Sequence, residues 1–198
     1  MTYLQDDFLT FWLVRHAQPL IAPGVCYGQL NVAADSEATQ DCAKALTKVL
    51  PAQTRVICSP LQRCEQLAID LIGLRPDLTL KVDPRLREMN FGEWEGRAWN
   101  DIAPSELDAW TQNFADYRVG QRGESVTQFM ARVALAFDGV PATGDTLWIT
   151  HAGVIRAAQL LAHGVRRIDR AGQWPVDAPA YGQWCKLTLP PNVFPSQS

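Results

Sequence analysis

The chain predicts an α/β fold, a three-layer α/β/α sandwich built around a mainly parallel sheet. Short apolar runs rich in β-formers alternate with stretches whose apolar residues recur at helical spacing. Polar and reactive residues stand where several of those runs end, as in open α/β sheets whose ligands bind beyond the carboxyl ends of the strands. Scale agrees: 198 residues, 47% hydrophobic and 20% charged, suit one domain with a substantial core and exclude disordered, collagenous and coiled-coil chains.

The first element, 8–14, is an apolar run closed by Arg15-His16, the pattern of a buried strand with a polar exit. Residues 36–50 place Ala38, Cys42, Ala45, Leu46 and Val49 at helical spacing, with Ser36 as the expected cap. Arg55–Cys58 is a second strand, and Ser59-Pro60 then reads as an N-cap followed by proline at the first position of a helix running to about Ile72. A strand is expected over 78–82, an aromatic-rich helix over 104–117, and a longer helix over 124–137 built on Val126, Phe129, Met130, Val133 and Phe137. Thr146–Thr150 is another buried strand, leaving through His151-Ala152-Gly153 into a helix over 154–162. Trp184–Leu189 offers the last strand, and the proline-rich stretch 190–198 reads as frayed.

Charge narrows the function classes. Eighteen Lys+Arg against twenty-one Asp+Glu give a net charge of −3, which lacks the basic footprint of a nucleic-acid binder, so any anion site is local. The cysteines at 26, 42, 58, 64 and 185 contain no CxxC pair and read as reduced thiols of a cytoplasmic protein. Asp6 and Asp7 ahead of the first apolar run do not suit a signal peptide, and no run approaches the roughly 18 apolar residues of a membrane span. With three histidines and scattered cysteines, no metal or cofactor is expected.

Three strand exits carry the chemistry: Arg15-His16, Ser59 to Arg63, and His151 to Gly153. Arg63 is the informative residue, because a cation in the first turn of a helix opposes the helix dipole. An anion bound there offsets that cost, and a helix N-terminus with an arginine converges naturally on phosphate. Gly153 allows a second helix start to approach the same point. Two of the three histidines stand at these exits, whereas His163, near a helix end, reads as structural.

These residues resemble a known family. Arg15-His16-Ala17 is similar to the Arg-His-Gly signature of the histidine phosphatase superfamily, the phosphoglycerate-mutase-like fold. Ser59-Pro60-Leu61-Gln62-Arg63 resembles its second motif, Leu86-Arg87-Glu88-Met89-Asn90-Phe91-Gly92 with Trp94-Glu95-Gly96 its third, and Thr150-His151-Ala152-Gly153 its fourth. The resemblance implies a metal-free covalent mechanism on a phosphorylated small molecule: His16 is the nucleophile, Glu88 the proton donor, and Arg15, Arg63 and His151 clamp the transferring phosphoryl group. Gln18, Pro19 and Ala22 stand where the glycolytic mutases carry Glu, Ser and Asn, which weighs against mutase activity. Arg15-His16-Ala17-Gln18-Pro19, with Tyr27-Gly28-Gln29 further on, is similar to the α-ribazole phosphatase branch, which acts late in cobalamin assembly, and Tyr27 is a further expected substrate-binding residue beside Arg15, Arg63 and Gly153.

Phe91, Trp94, Trp99, Trp110, Phe114 and Tyr117 crowd the segment 91–117 and suggest an apolar cap that stacks on an aromatic leaving group; packing of an insertion onto the sheet is the competing reading. A broad-specificity or phosphohistidine-protein phosphatase, and a silent phospho-ligand module on the same fold, are the rival functions.

Overall fold

The computed structural model describes residues 9–189. Five strands, β1 (Leu9–Arg15), β2 (Arg55–Cys58), β3 (Thr79–Val82), β4 (Thr146–Thr150) and β5 (Trp184–Leu189), form one sheet in the order β3-β2-β4-β1-β5. All pairings are parallel except β1 with β5, which is antiparallel. Five α-helices accompany them: α1 (Ser36–Thr47), α2 (Gln62–Leu74), α3 (Pro104–Gln112), α4 (Val126–Phe137) and α5 (Ala152–Ala162).

The pleat sorts the core into two halves, because successive strand residues face opposite sides. Trp12, Val14, Val56, Cys58, Leu147 and Ile149 face α1 and α2, where Cys42, Leu46, Leu67 and Leu71 meet them. Phe11, Leu13 and Trp148 face the other way, toward Phe129, Val133, Phe137, Ile155 and Ala158 of α4 and α5. On that side Phe11 packs edge-on against Trp148 at 4.8 Å and Phe137 at 5.9 Å between ring centroids. The three-layer sandwich is therefore the observed architecture. Among the described residues, no helix is long and apolar enough to cross a membrane.

Several boundaries differ from expectation for local reasons. Asp35, not Ser36, caps α1: its Oδ1 accepts from Ala38 N at 2.8 Å, and Ser36 is the first helical residue. Ser59 and Pro60 lie outside α2, which starts at Gln62 with no side-chain cap and continues to Leu74. The Ser59 hydroxyl is engaged by His151 at 2.8 Å and accepts only a long bond from Leu61 N, at 3.4 Å. Helix α3 stops at Gln112, well short of Tyr117, because Asn113 leaves the helical backbone region at φ −123°, ψ 52°. Helix α4 begins at Val126, where Ser125 and Gln128 form a reciprocal capping box. Helix α5 begins two residues earlier than expected, at Ala152, with His151 in the capping position. Strand β1 is described from Leu9, so Phe8, the preceding Asp6 and Asp7, and residues 190–198 lie outside the described residues.

The cap assignment is testable. Asp35→Ala should lower stability by about 1 kcal/mol in chemical denaturation, and Ser36→Ala by less than about 0.5 kcal/mol. The reverse ranking would return the cap to Ser36.

Candidate active site

Strands β2, β4 and β1 are adjacent and parallel, so their carboxyl ends open side by side. The ladder runs one residue further at two of them: His16 N donates to Thr150 O at 3.1 Å, and Ser59 N donates to Ile149 O at 3.0 Å. The sheet itself thus sets the backbone of His16 and Ser59 against β4, whose exit supplies His151.

His16 is buried. Its Nδ1 lies 2.7 Å from the Ala17 carbonyl, an acceptor, so the ring proton belongs on Nδ1 and Nε2 keeps its lone pair. Arg63 Nε donates to that lone pair at 3.2 Å. Burial, with the Arg63 and Arg15 charges adding to it, lowers the His16 pKa from 6.5 to about 3, so the imidazole is neutral near pH 7.

Arg63 is fully buried in the first turn of α2, with no carboxylate among its partners. Its remaining guanidinium nitrogens donate to Leu30 O at 2.8 Å and Gly28 O at 2.6 Å, and the Tyr27 ring lies 5.1 Å away. Arg15 stacks 3.7 Å over Tyr181 and donates to Pro179 O at 3.3 Å, while its buried Nε has no partner among the described residues. Tyr27 and Tyr181 are joined by a 2.9 Å hydrogen bond between hydroxyls. Both arginines are held by carbonyls and aromatic faces, which leaves their charge available to an anion.

The His151 ring centroid lies 5.2 Å from that of His16, edge-on. His151 is fully buried, its Nε2 bonded to Ser59 Oγ at 2.8 Å and within 3.5 Å of Cys64 Sγ. Burial first, then the neighbouring cations, hold its pKa well below the ordinary histidine value. Burial pushes the Cys64 thiol up to about 12, so it remains a packed thiol beside His151 rather than a thiolate nucleophile. Glu88 is fixed by two backbone donors, Met89 N at 3.0 Å and Gly153 N at 3.1 Å. A Cβ at Gly153 would collide with this carboxylate, which is why a glycine stands there.

Glu93 and Glu95, the carboxylates that follow Glu88 in the chain, are occupied elsewhere. Glu95 Oε1 accepts from Gln29 N and Phe91 N, each at 2.9 Å, and Glu93 pairs with Arg122 at 3.4 Å. His163 is exposed at the end of α5 and bonds the Gln159 carbonyl at 2.7 Å.

A cavity of about 280 Å³ adjoins Glu88 and Gly153 and is lined also by Phe91, Trp110, Phe114 and Arg156. The aromatic segment therefore divides: Phe91, Trp110 and Phe114 face the cavity, whereas Trp94 is fully buried and Trp99 and Tyr117 pack against the core. Three contributors were missed in the sequence: Ser59 as the partner of His151, Tyr181 under Arg15, and Arg156. Arg156 had a signal, since it lies three residues after Gly153 on one helix and so shares its face. Tyr181 had none.

The family model for the histidine phosphatase superfamily (branch 1) matches residues 11–190. A Yersinia pestis (strain Pestoides F) protein named "Probable phosphoglycerate mutase GpmB" is 32% identical over 126 residues, covering 58% of this chain and 58% of that protein. The chain thus spans less than two thirds of the length of the curated relatives it matches. Among solved structures, a mycobacterial glucosyl-3-phosphoglycerate phosphatase complexed with VO3 superposes with a TM-score of 0.72 at 25% identity, covering 90% of this chain and 92% of that one. A candidate alpha-ribazole-5'-P phosphatase of Escherichia coli K-12 superposes with a TM-score of 0.74 at 22% identity, covering 94% and 92%, a likeness of fold.

The buried neutral histidines make stability depend on pH. Because the folded His16 pKa is depressed from 6.5 to about 3, the unfolded chain binds the proton more readily between those values. Stability is therefore complete above about pH 6.5 and falls as pH drops toward 3, with His151 adding in the same direction. Replacing His16 by Asn should remove about one proton of uptake from unfolding at pH 5, measured by denaturation across pH 4–7. An unchanged slope would show that His16 is not held neutral.

Proposed function

The chain belongs to the histidine phosphatase superfamily, and we propose that it is a phosphomonoesterase working through a phosphohistidine at His16. The observation that carries this reading is the state of that one ring: neutral, proton on Nδ1, Nε2 lone pair directed at the Arg63 guanidinium.

In the proposed first step, His16 Nε2 attacks phosphorus. The P–N bond forms as the bond to the ester oxygen breaks, and that oxygen takes the proton of the Glu88 carboxyl. Arg63 Nε shifts from the ring nitrogen to a phosphoryl oxygen, and Arg15 and His151 share the equatorial charge. The Nδ1–H bond to Ala17 O supports the positive charge that the imidazole gains. Glu88, now a carboxylate, takes a proton from water as the water oxygen attacks phosphorus, and the P–N bond breaks to release phosphate and neutral His16.

The finer reading is a substrate with a bulky aromatic leaving group, of the α-ribazole-5′-phosphate or adenosylcobalamin-phosphate kind, in a cytoplasmic setting. Support comes from the aromatic wall of Phe91, Trp110 and Phe114 beside Glu88, and from the likeness of Arg15-His16-Ala17-Gln18-Pro19 and Tyr27-Gly28-Gln29 to that branch. The name of the Yersinia relative favours a mutase instead. Gln18, Pro19 and Ala22 weigh against it.

One experiment separates these. Labelled phosphate from α-ribazole-5′-phosphate should appear transiently as acid-labile label on the wild-type chain, be absent in His16→Ala, and end as inorganic phosphate. Label retained by His16→Ala would overturn the nucleophile. Label passed quantitatively to a second hydroxyl of phosphoglycerate, rather than to water, would establish the mutase.

A further inference from the structure

Several arginines elsewhere in the fold have carboxylate partners, among them Arg85 with Asp83 at 2.6 Å, Arg132 with Glu124 at 2.7 Å and Arg166 with Asp138 at 2.6 Å, while Arg55, Arg97 and Arg118 are held by backbone carbonyls. Three arginines around the crevice, Arg15, Arg63 and Arg156, have none among the described residues. Arg15 and Arg63 flank His16. Arg156 stands apart, on the wall of the aromatic cavity, one helical turn beyond Gly153. Its guanidinium is anchored at one end, donating to Val176 O at 2.8 Å, while Nε is buried without a partner. Trp110, on the same cavity, also carries a buried Nε1 with no partner among the described residues.

Arg156 thus brings to the wall of this apolar cavity a charge with no carboxylate partner, beside a Trp110 whose Nε1 has none among the described residues, and donors left unpaired in such a place favour a ligand that carries an acceptor. The other charged group on the wall is Glu88, which the mechanism commits to the ester oxygen. We infer that Arg156 is a specificity-determining residue of this cavity, donating to a hydrogen-bond acceptor, a ring nitrogen or an oxygen, carried by the aromatic leaving group. The inference rests on the phosphomonoesterase reading and adds to it the chemistry of the leaving group. Glu88 and Arg156 then divide the work: one protonates the departing oxygen, and the other selects the body attached to it. A site built to meet an acceptor discriminates against the isostere lacking one, because that ligand leaves the donors buried and unpaired.

Three phosphomonoesters with similar alkoxide leaving groups test this: benzyl phosphate, pyridin-3-ylmethyl phosphate and 3-carboxybenzyl phosphate. The wild-type kcat/KM for the two acceptor-bearing esters should exceed that for benzyl phosphate by about tenfold or more. In Arg156→Met both ratios should fall to within about threefold of one, and Arg156→Lys should restore the 3-carboxybenzyl ratio in part. Each ratio is internal to one protein, so it does not depend on how much of a variant is folded. Preference for 3-carboxybenzyl phosphate alone also supports the inference and assigns the acceptor as an anion. A wild-type ratio near one, or ratios unchanged in Arg156→Met, would overturn it. Failure of the underlying reading shows separately, as no His16-dependent acid-labile label with any of the three esters.

Discussion

A guanidinium with no carboxylate, buried at the foot of a helix and aimed at an imidazole lone pair, is the constraint around which the crevice is arranged. Burying an uncompensated charge is expensive, and the chain lowers the cost with oriented dipoles: the carbonyls of Gly28 and Leu30 accept from Arg63, and the Tyr27 ring faces it. Arg15 is treated alike, over Tyr181 and against Pro179 O. Pairing either arginine with Asp or Glu would be a more economical way to build a stable protein. It would also cancel the charge that a phosphoryl group needs to meet.

The neutrality of the histidines follows from the same choice. With Arg15 and Arg63 nearby and water excluded, protonating His16 or His151 would add another cation to an already positive, poorly solvated region. Neutral His16 is what the proposed nucleophilic attack on phosphorus requires, so the electrostatics that strain the free protein would prepare that reaction. The sheet supplies the precision. His16 and Ser59 are hydrogen-bonded to β4 beyond the strands proper, so the proposed nucleophile and the hydrogen-bond partner of His151 inherit the rigidity of the ladder.

Much of this was legible in the sequence because it rests on strands. Strand β4, buried on both faces, reads as a nearly continuous apolar run, and β2 and the edge strand β5, only partly buried, also begin and end where the sequence places them. The exits follow, and with them Arg15, His16, Arg63, His151 and Gly153. Helix starts were less legible, because a hydroxyl can serve either the helix or a distant partner. Ser59 looks like a cap beside Pro60, yet its oxygen goes to His151, 92 residues away in the chain. The aromatic segment hid its division for a related reason. Trp94 and Trp99 sit in short 3-10 turns, which carry no clear periodicity, and these turns lead into α3, which carries Trp110 to the cavity. Arg156 and Tyr181 matter through what packs against them, and composition does not carry that information.

The central claim, that His16 is held neutral with its proton on Nδ1 and its Nε2 free for phosphorus, is most directly tested by histidine ¹⁵N NMR of the full chain between pH 5 and 8. The account predicts a His16 ring in the Nδ1–H tautomer throughout, with an Nε2 shift typical of an unprotonated nitrogen and no titration in that range. A His16 ring that titrates near 6.5, or that carries its proton on Nε2, would contradict it.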